Sequence, residues 1–155
     1  GEASAAFLWT PFGLQRSEMR PALVEHIRDV MMPGGTWAFV DVVPPSMPGH
    51  WLYRFFPAAW DNERQHTWGA SMIYNSLAEV GFDVELDRLT YHQPISLEAA
   101  CEIARDRERC PQLANLPDAI YETGLDMLEE RAEREGADTL IGSEFCLAVV
   151  TATAE

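Results

Sequence analysis

The stretch Thr36–Val43 (TWAFVDVV) constrains this chain more than any other. It carries one charge, Asp41, and is otherwise apolar, β-branched or aromatic. A run of that kind, without polar alternation, reads as a strand buried on both faces. The segment Ser17–Met32 places Met19, Leu23, Ile27 and Val30 on one helical stripe. Ser17 is a candidate N-cap, with Pro21 able to move the start to Arg20. Pro33-Gly34-Gly35 then stops the helix just ahead of the strand. Ala5–Phe12 (AAFLWTPF) is a second buried strand, ended by Gly13. Strand, helix and strand joined this tightly form a right-handed βαβ unit, so the class is α/β with a parallel start.

The remainder alternates in the same way. Pro44–Thr67 is an aromatic, proline-rich connection. A helix follows over Trp68–Val80, closed by Gly81. Phe82–His92 (FDVELDRLTYH) alternates apolar and polar residues, the mark of a half-exposed strand. Ser96 caps a helix through Arg109, a further helix covers Leu116–Glu135, and Thr139–Thr153 forms a long final strand. The last two strands need no crossover helix between them and suit an antiparallel pair. No repeat, low-complexity tract or linker divides the chain, so residues 1–155 are expected to form a single domain.

Charge excludes several functions. The 155 residues hold 25 acidic and 11 basic side chains, for a net charge of −14. Nucleic acid and anionic membrane surfaces are therefore not expected partners. Every basic residue is Arg, so Schiff-base, P-loop lysine and Ser–Lys chemistry are excluded. Cys101, Cys110 and Cys146 are too few and too scattered for a disulfide framework, and no ligand spacing suggests a metal site. No leader and no membrane-length apolar run is visible, and a cytoplasmic location is expected.

Three segments carry a resemblance. Phe12-Gly13-Leu14-Gln15 after the first strand, the helix ending Ile27-Arg28-Asp29-Val30-Met31-Met32-Pro33-Gly34-Gly35, and Leu77-Ala78-Glu79-Val80-Gly81-Phe82 before the half-exposed strand occur in that order. Together they resemble class I S-adenosylmethionine-dependent methyltransferases, most of all the branch acting in ubiquinone and menaquinone biosynthesis. The resemblance runs from about Ala5 to Thr153 and implies a partial Rossmann-like sheet, the family's strands 4-5-7-6, with the last strand antiparallel. It corresponds to the C-terminal, substrate-side half. The glycine-rich turn of the cofactor half has no counterpart here, since GxGxG is absent and Ala6 stands where the family has an acid. S-adenosylmethionine is expected only if the missing half is supplied, and otherwise no cofactor.

The resemblance gives Thr10, Pro11, Phe12 and Gly13 as the residues bordering the cofactor. It also leaves the strand at 5–12 as an apolar sheet edge. Such an edge is expected to pair with a second copy or with a complementary chain. His50, Trp51, Tyr53, Phe55, Phe56 and Trp60 fall in the connection that covers substrate in that family. They either wall a small apolar or aromatic ligand or seal the core. Asp41, at the C-terminal end of a parallel strand, is a candidate contact to substrate or cofactor, or else caps nearby backbone N–H groups. His66 with His50, with Asp61 and Glu63 between them, forms an acid–base pair or a metal site, or else these are surface histidines. His66 and Asp41 are the catalytic candidates. Two readings stay open: the substrate side of a small-molecule methyltransferase, or a non-catalytic small-molecule-binding or protein-interaction module that kept the fold and lost the cofactor site.

Overall fold

The computed structural model describes residues 3–7 and 19–155. The described elements, in order, are β1 (Ala3–Phe7), α1 (Arg20–Val30), β2 (Met31–Val42), α2 (Trp51–Phe55), α3 (Pro57–His66), α4 (Ala70–Glu79), β3 (Phe82–His92), β4 (Ile95–Ser96), α5 (Leu97–Arg105), α6 (Pro111–Ala114), α7 (Asp118–Glu135), β5 (Leu140–Ile141) and β6 (Glu144–Ala154). They divide into two compact units. The first comprises Gly1–Ser46, His66–Thr90 and Cys146–Glu155, and the second Met47–Gln65 and Tyr91–Phe145.

The first unit holds a four-stranded sheet of order β1-β2-β6-β3. β1 runs parallel to β2, and β6 runs antiparallel to β2. The strand order and the antiparallel final strand agree with the sequence expectation. Trp37, Phe39 and Asp41 pair across from Ala152, Val150 and Ala148, and all six are buried. They form one face of the sheet. Phe82 joins that face, its ring centroid 6.2 Å from that of Trp37. α1 contributes Val24 and Ile27 to the same core, and α4 contributes Ile73 and Leu77. Arg28 ties these layers together. Its Nε donates to the Gly81 carbonyl at 3.0 Å, and its guanidinium lies over the Phe82 ring at 5.8 Å.

β2 starts earlier than expected. Met31 already pairs with Ala3, and regular pairing resumes only at Thr36 opposite Ala5. The Pro-Gly-Gly segment is thus a bulge inside the strand, with Gly34 at φ +75°. Glycine adopts that left-handed backbone at no steric cost, whereas a Cβ would strain it. α1 begins at Arg20 with Pro21 in its first turn, and Ser17 lies outside the described residues.

The second unit corrects the reading of Pro44–Thr67 as a connection. After a short 3₁₀ turn at Pro44–Ser46, the segment folds into α2 and α3. Clustered aromatics hid the helical period, and Pro57, a residue that opens helices as readily as it ends them, starts α3. α5 is capped by Ser96, whose Oγ accepts from the Ala99 N–H at 3.2 Å. It stops at Arg105 and gives way to a 3₁₀ turn at Arg107–Arg109, rather than continuing to Arg109 as a helix. α7 starts after Pro117. The expected final strand is broken into β5 and β6 by Gly142-Ser143, and β5 pairs with β4 in a separate two-stranded ladder. Among the described residues no helix is long and apolar enough to cross a membrane.

Candidate functional site

The second unit gathers its aromatic side chains around His50. His50 is the N-cap of α2, and its Nδ1 accepts from the Leu52 N–H at 3.3 Å. Its ring stands edge-on to Phe145, with centroids 4.7 Å apart and planes at 88°. Tyr53 and Trp51 lie at 5.4 and 6.0 Å from the same imidazole. Tyr91, from the end of β3, stacks on Phe145 at 5.6 Å. Ser143 locks the entry to α2: its Oγ accepts from the Trp51 N–H at 3.2 Å, while its carbonyl accepts from the Gln93 N–H at 2.9 Å. Glu144 fills the space beside Gly49, where any Cβ would collide with its carboxylate. His92 stands 3.9 Å from the same carboxylate.

Burial sets the chemistry available here. It lowers the His50 pKa from 6.5 to about 4, so the ring is neutral near pH 7. With Nδ1 accepting the cap bond, the proton of that neutral ring sits on Nε2, which can donate but not abstract. Burial, followed by the nearby Glu63 and Cys110, raises the Tyr53 hydroxyl far above its usual value, so it too remains a neutral donor. Neutral donors of this kind can hold a polar group in place but cannot take a proton from it.

The residues expected to act together are only partly joined. His50, Trp51 and Tyr53 share the cluster with Phe145. Phe55 and Phe56 instead face α7, Phe56 stacking on Tyr121 at 6.1 Å and Phe55 lying 6.0 Å from the Arg131 guanidinium. Trp51, Tyr53, Phe55 and Phe56 are buried, while Trp60 is half-buried under the Arg64 guanidinium at 4.3 Å. Asp41 is 3% exposed within the sheet face of the first unit. His66 is exposed at the end of α3 and belongs to the first unit, unlike His50. Thr10, Pro11, Phe12 and Gly13 lie outside the described residues. Phe145, Tyr91 and Ser143 join His50's surroundings through contacts between segments distant in sequence, which local patterns do not carry.

No family model matches the chain, and no curated protein matches it. Solved structures do. A protein of Bacillus halodurans C-125 provisionally assigned as a methyltransferase superposes with a TM-score of 0.50 at 15% identity, over 96% of this chain and 67% of that one. A protein of Anabaena variabilis, provisionally assigned as a methyltransferase of an antibiotic biosynthesis pathway, gives 0.53 at 18% identity, over 83% of this chain and 60% of that one. This is a Rossmann-like methyltransferase fold. The chain thus spans about two thirds of the length of these methyltransferase-fold structures.

S-adenosylmethionine is the cofactor that the sequence resemblance implies, and Thr10–Gly13, expected to border it, lie outside the described residues. No glycine-rich phosphate- or ribose-binding turn is present in the sequence. No chemical step is therefore routed through the cofactor.

Proposed function

We propose that this chain is the substrate side of an S-adenosylmethionine-dependent methyltransferase acting on a small apolar or aromatic molecule. The observation that carries this reading is the sheet order β1-β2-β6-β3 with an antiparallel β6 between β2 and β3, matched by structures of methyltransferase fold. The neutral donors His50 and Tyr53 support a positioning role, because methyl transfer needs alignment and exclusion of water more than covalent catalysis. His50, Trp51, Tyr53, Phe55, Phe56 and Trp60, all of the second unit, are the proposed substrate-side residues; Asp41 and His66 stay the catalytic candidates of the first unit, taken by itself.

The cofactor half is proposed to be supplied through β1. This strand pairs only with β2 among the described residues, so its other edge keeps unpaired backbone groups. A complementary chain or a second copy completes the sheet there, and Thr10–Gly13 border the cofactor. The whole is read as one domain working in the cytoplasm. A second reading, a ligand-binding module without catalysis, is favoured by the missing GxGxG turn.

Two measurements test the proposal. Light scattering at micromolar concentration should find the chain self-associated or co-purified with a partner; a clean monomer sinks the edge pairing. Calorimetric titration of that assembly with S-adenosylmethionine should show saturable binding. No binding at millimolar cofactor leaves only the non-catalytic module.

A further inference from the structure

The first unit, taken by itself, holds a concavity of about 360 Å³ between α4 and β3, lined by Ala70, Ser71, Tyr74 and Asn75 on one side and Leu86 and Arg88 on the other. Alternation along β3 decides what reaches it. Phe82 and Val84 are buried and Leu86 is half-buried, while Asp83, Glu85 and Asp87 are exposed. By the two-residue period Arg88 shares the side of Leu86, and the three acids take the other. The helical period makes the facing wall: Ser71, Tyr74 and Asn75 stand at i, i+3 and i+4 on one face of α4. That wall is polar and uncharged, and the first turn of α4 holds no acid. Arg64, Arg105, Arg107, Arg109, Arg131 and Arg134 each form an ion pair. Arg88 forms none among the described residues, and so is free to meet an anion from outside.

We propose that this concavity binds a small aromatic carboxylate, with the carboxylate on the Arg88 guanidinium and the ring against Tyr74 and Leu86. The guanidinium fork meets a carboxylate with two parallel N–H···O bonds. Ser71 and Asn75 supply further donors. Tyr74, which is 45% exposed, and Leu86 offer the apolar surface that a ring would cover. The volume suits one such molecule. Inorganic phosphate fits less well: it would leave Tyr74 and Leu86 uncovered, and one guanidinium does not balance a dianion. The inference stands on these side chains and not on the methyltransferase reading, whose proposed substrate-side residues belong to the second unit.

The test titrates the full chain with sodium benzoate and follows the amide chemical shifts by NMR. Saturable shifts are expected at Ser71, Tyr74, Asn75 and Arg88, and none there from benzamide, which lacks the charge. R88Q should weaken binding about tenfold. R88K should recover only part of that loss, since an ammonium lacks the fork. Y74A should weaken binding too, whereas R54Q, at an exposed arginine of the second unit, should leave it unchanged. The same amide spectra report whether each variant is folded; if R88Q is not, R88K and Y74A carry the comparison. The proposal is overturned by a lack of saturation up to about 50 mM benzoate, or by benzamide or inorganic phosphate binding as tightly. Equal weakening by R88Q and R54Q also overturns it, because the effect is then general charge attraction.

Discussion

The imidazole of His50 is edge-on to the ring of Phe145 at 4.7 Å, and the same imidazole caps α2 through Nδ1. One ring therefore joins the start of a helix to the start of β6, across 95 residues of sequence (145 − 50). Burial keeps the ring neutral, and that neutrality leaves Nδ1 free to accept the cap bond.

A pH dependence follows from this ring. The folded pKa of about 4 lies below the unfolded value of 6.5. Between those values the unfolded chain takes up a proton that the folded one refuses, so stability falls as pH drops from 6.5 to 4 and levels off below. With part of the ring open to solvent, the loss should be about 1–2 kcal/mol. Urea melts at pH 7, 5 and 4 measure it. H50N, which keeps a capping side chain, should remove this pH segment while costing less at pH 7 than H50A, whose lost cap is worth about 1 kcal/mol.

Gly124 lies in the middle of α7, where alanine would normally raise helix stability by about 1 kcal/mol. Here its Cβ would sit 2.5 Å from Phe56 Cδ1 and 2.7 Å from the Phe55 carbonyl oxygen. G124A should instead destabilise by about 2–3 kcal/mol. F56L/G124A should recover part of that loss, because the ring contact goes but the backbone contact stays. Thermal melts of the three proteins decide this.

Arg107 gathers the turn before α6 onto α7. It donates to the carbonyls of Leu113 at 3.1 Å and of Leu116, pairs with Asp118 at 2.6 Å and lies over Tyr121 at 4.7 Å. R107M keeps much of the aliphatic bulk but leaves two carbonyls without their donor, and should cost about 2 kcal/mol. R107K should rescue little, since an ammonium cannot reproduce the planar fork. Chemical denaturation of both variants is the measurement.

Arg28 makes the equivalent link in the first unit. Its Nη2 donates to the Glu155 carbonyl at 2.5 Å, and its Nε holds Gly81, whose φ is +89°. R28M should lose about 1–2 kcal/mol. Amide hydrogen exchange should speed up at the end of β6 and at the α4–β3 turn before it does in β2.

The regular parts of the fold were legible because local periods carried them. Thr36–Val43 reads as a strand from its nearly continuous apolar run, Phe82–His92 from its alternation, and Ser96 as a cap from its hydroxyl ahead of Glu98. What local patterns do not carry is which distant segments meet. The helices over Trp51–His66 were hidden by aromatics that suit a loop, a strand or a helix equally. The break at Gly142-Ser143 exists because Ser143 has a partner at Trp51, which no neighbour in sequence reveals.

By itself, then, the sequence determined an α/β class with a parallel βαβ start, the absence of lysine chemistry and of a glycine-rich turn, and the acidic character of the chain, while the strand order came from its family resemblance. Only the tertiary structure decided that His50 and Tyr53 are neutral donors, that Phe55 and Phe56 face α7 while Trp51 and Tyr53 face His50, and that Asp41 is buried within the sheet. The physical reason is the same in each case. Strand and helix periods depend on neighbours a few residues away, whereas burial, ionisation and the company a side chain keeps depend on residues brought near by folding.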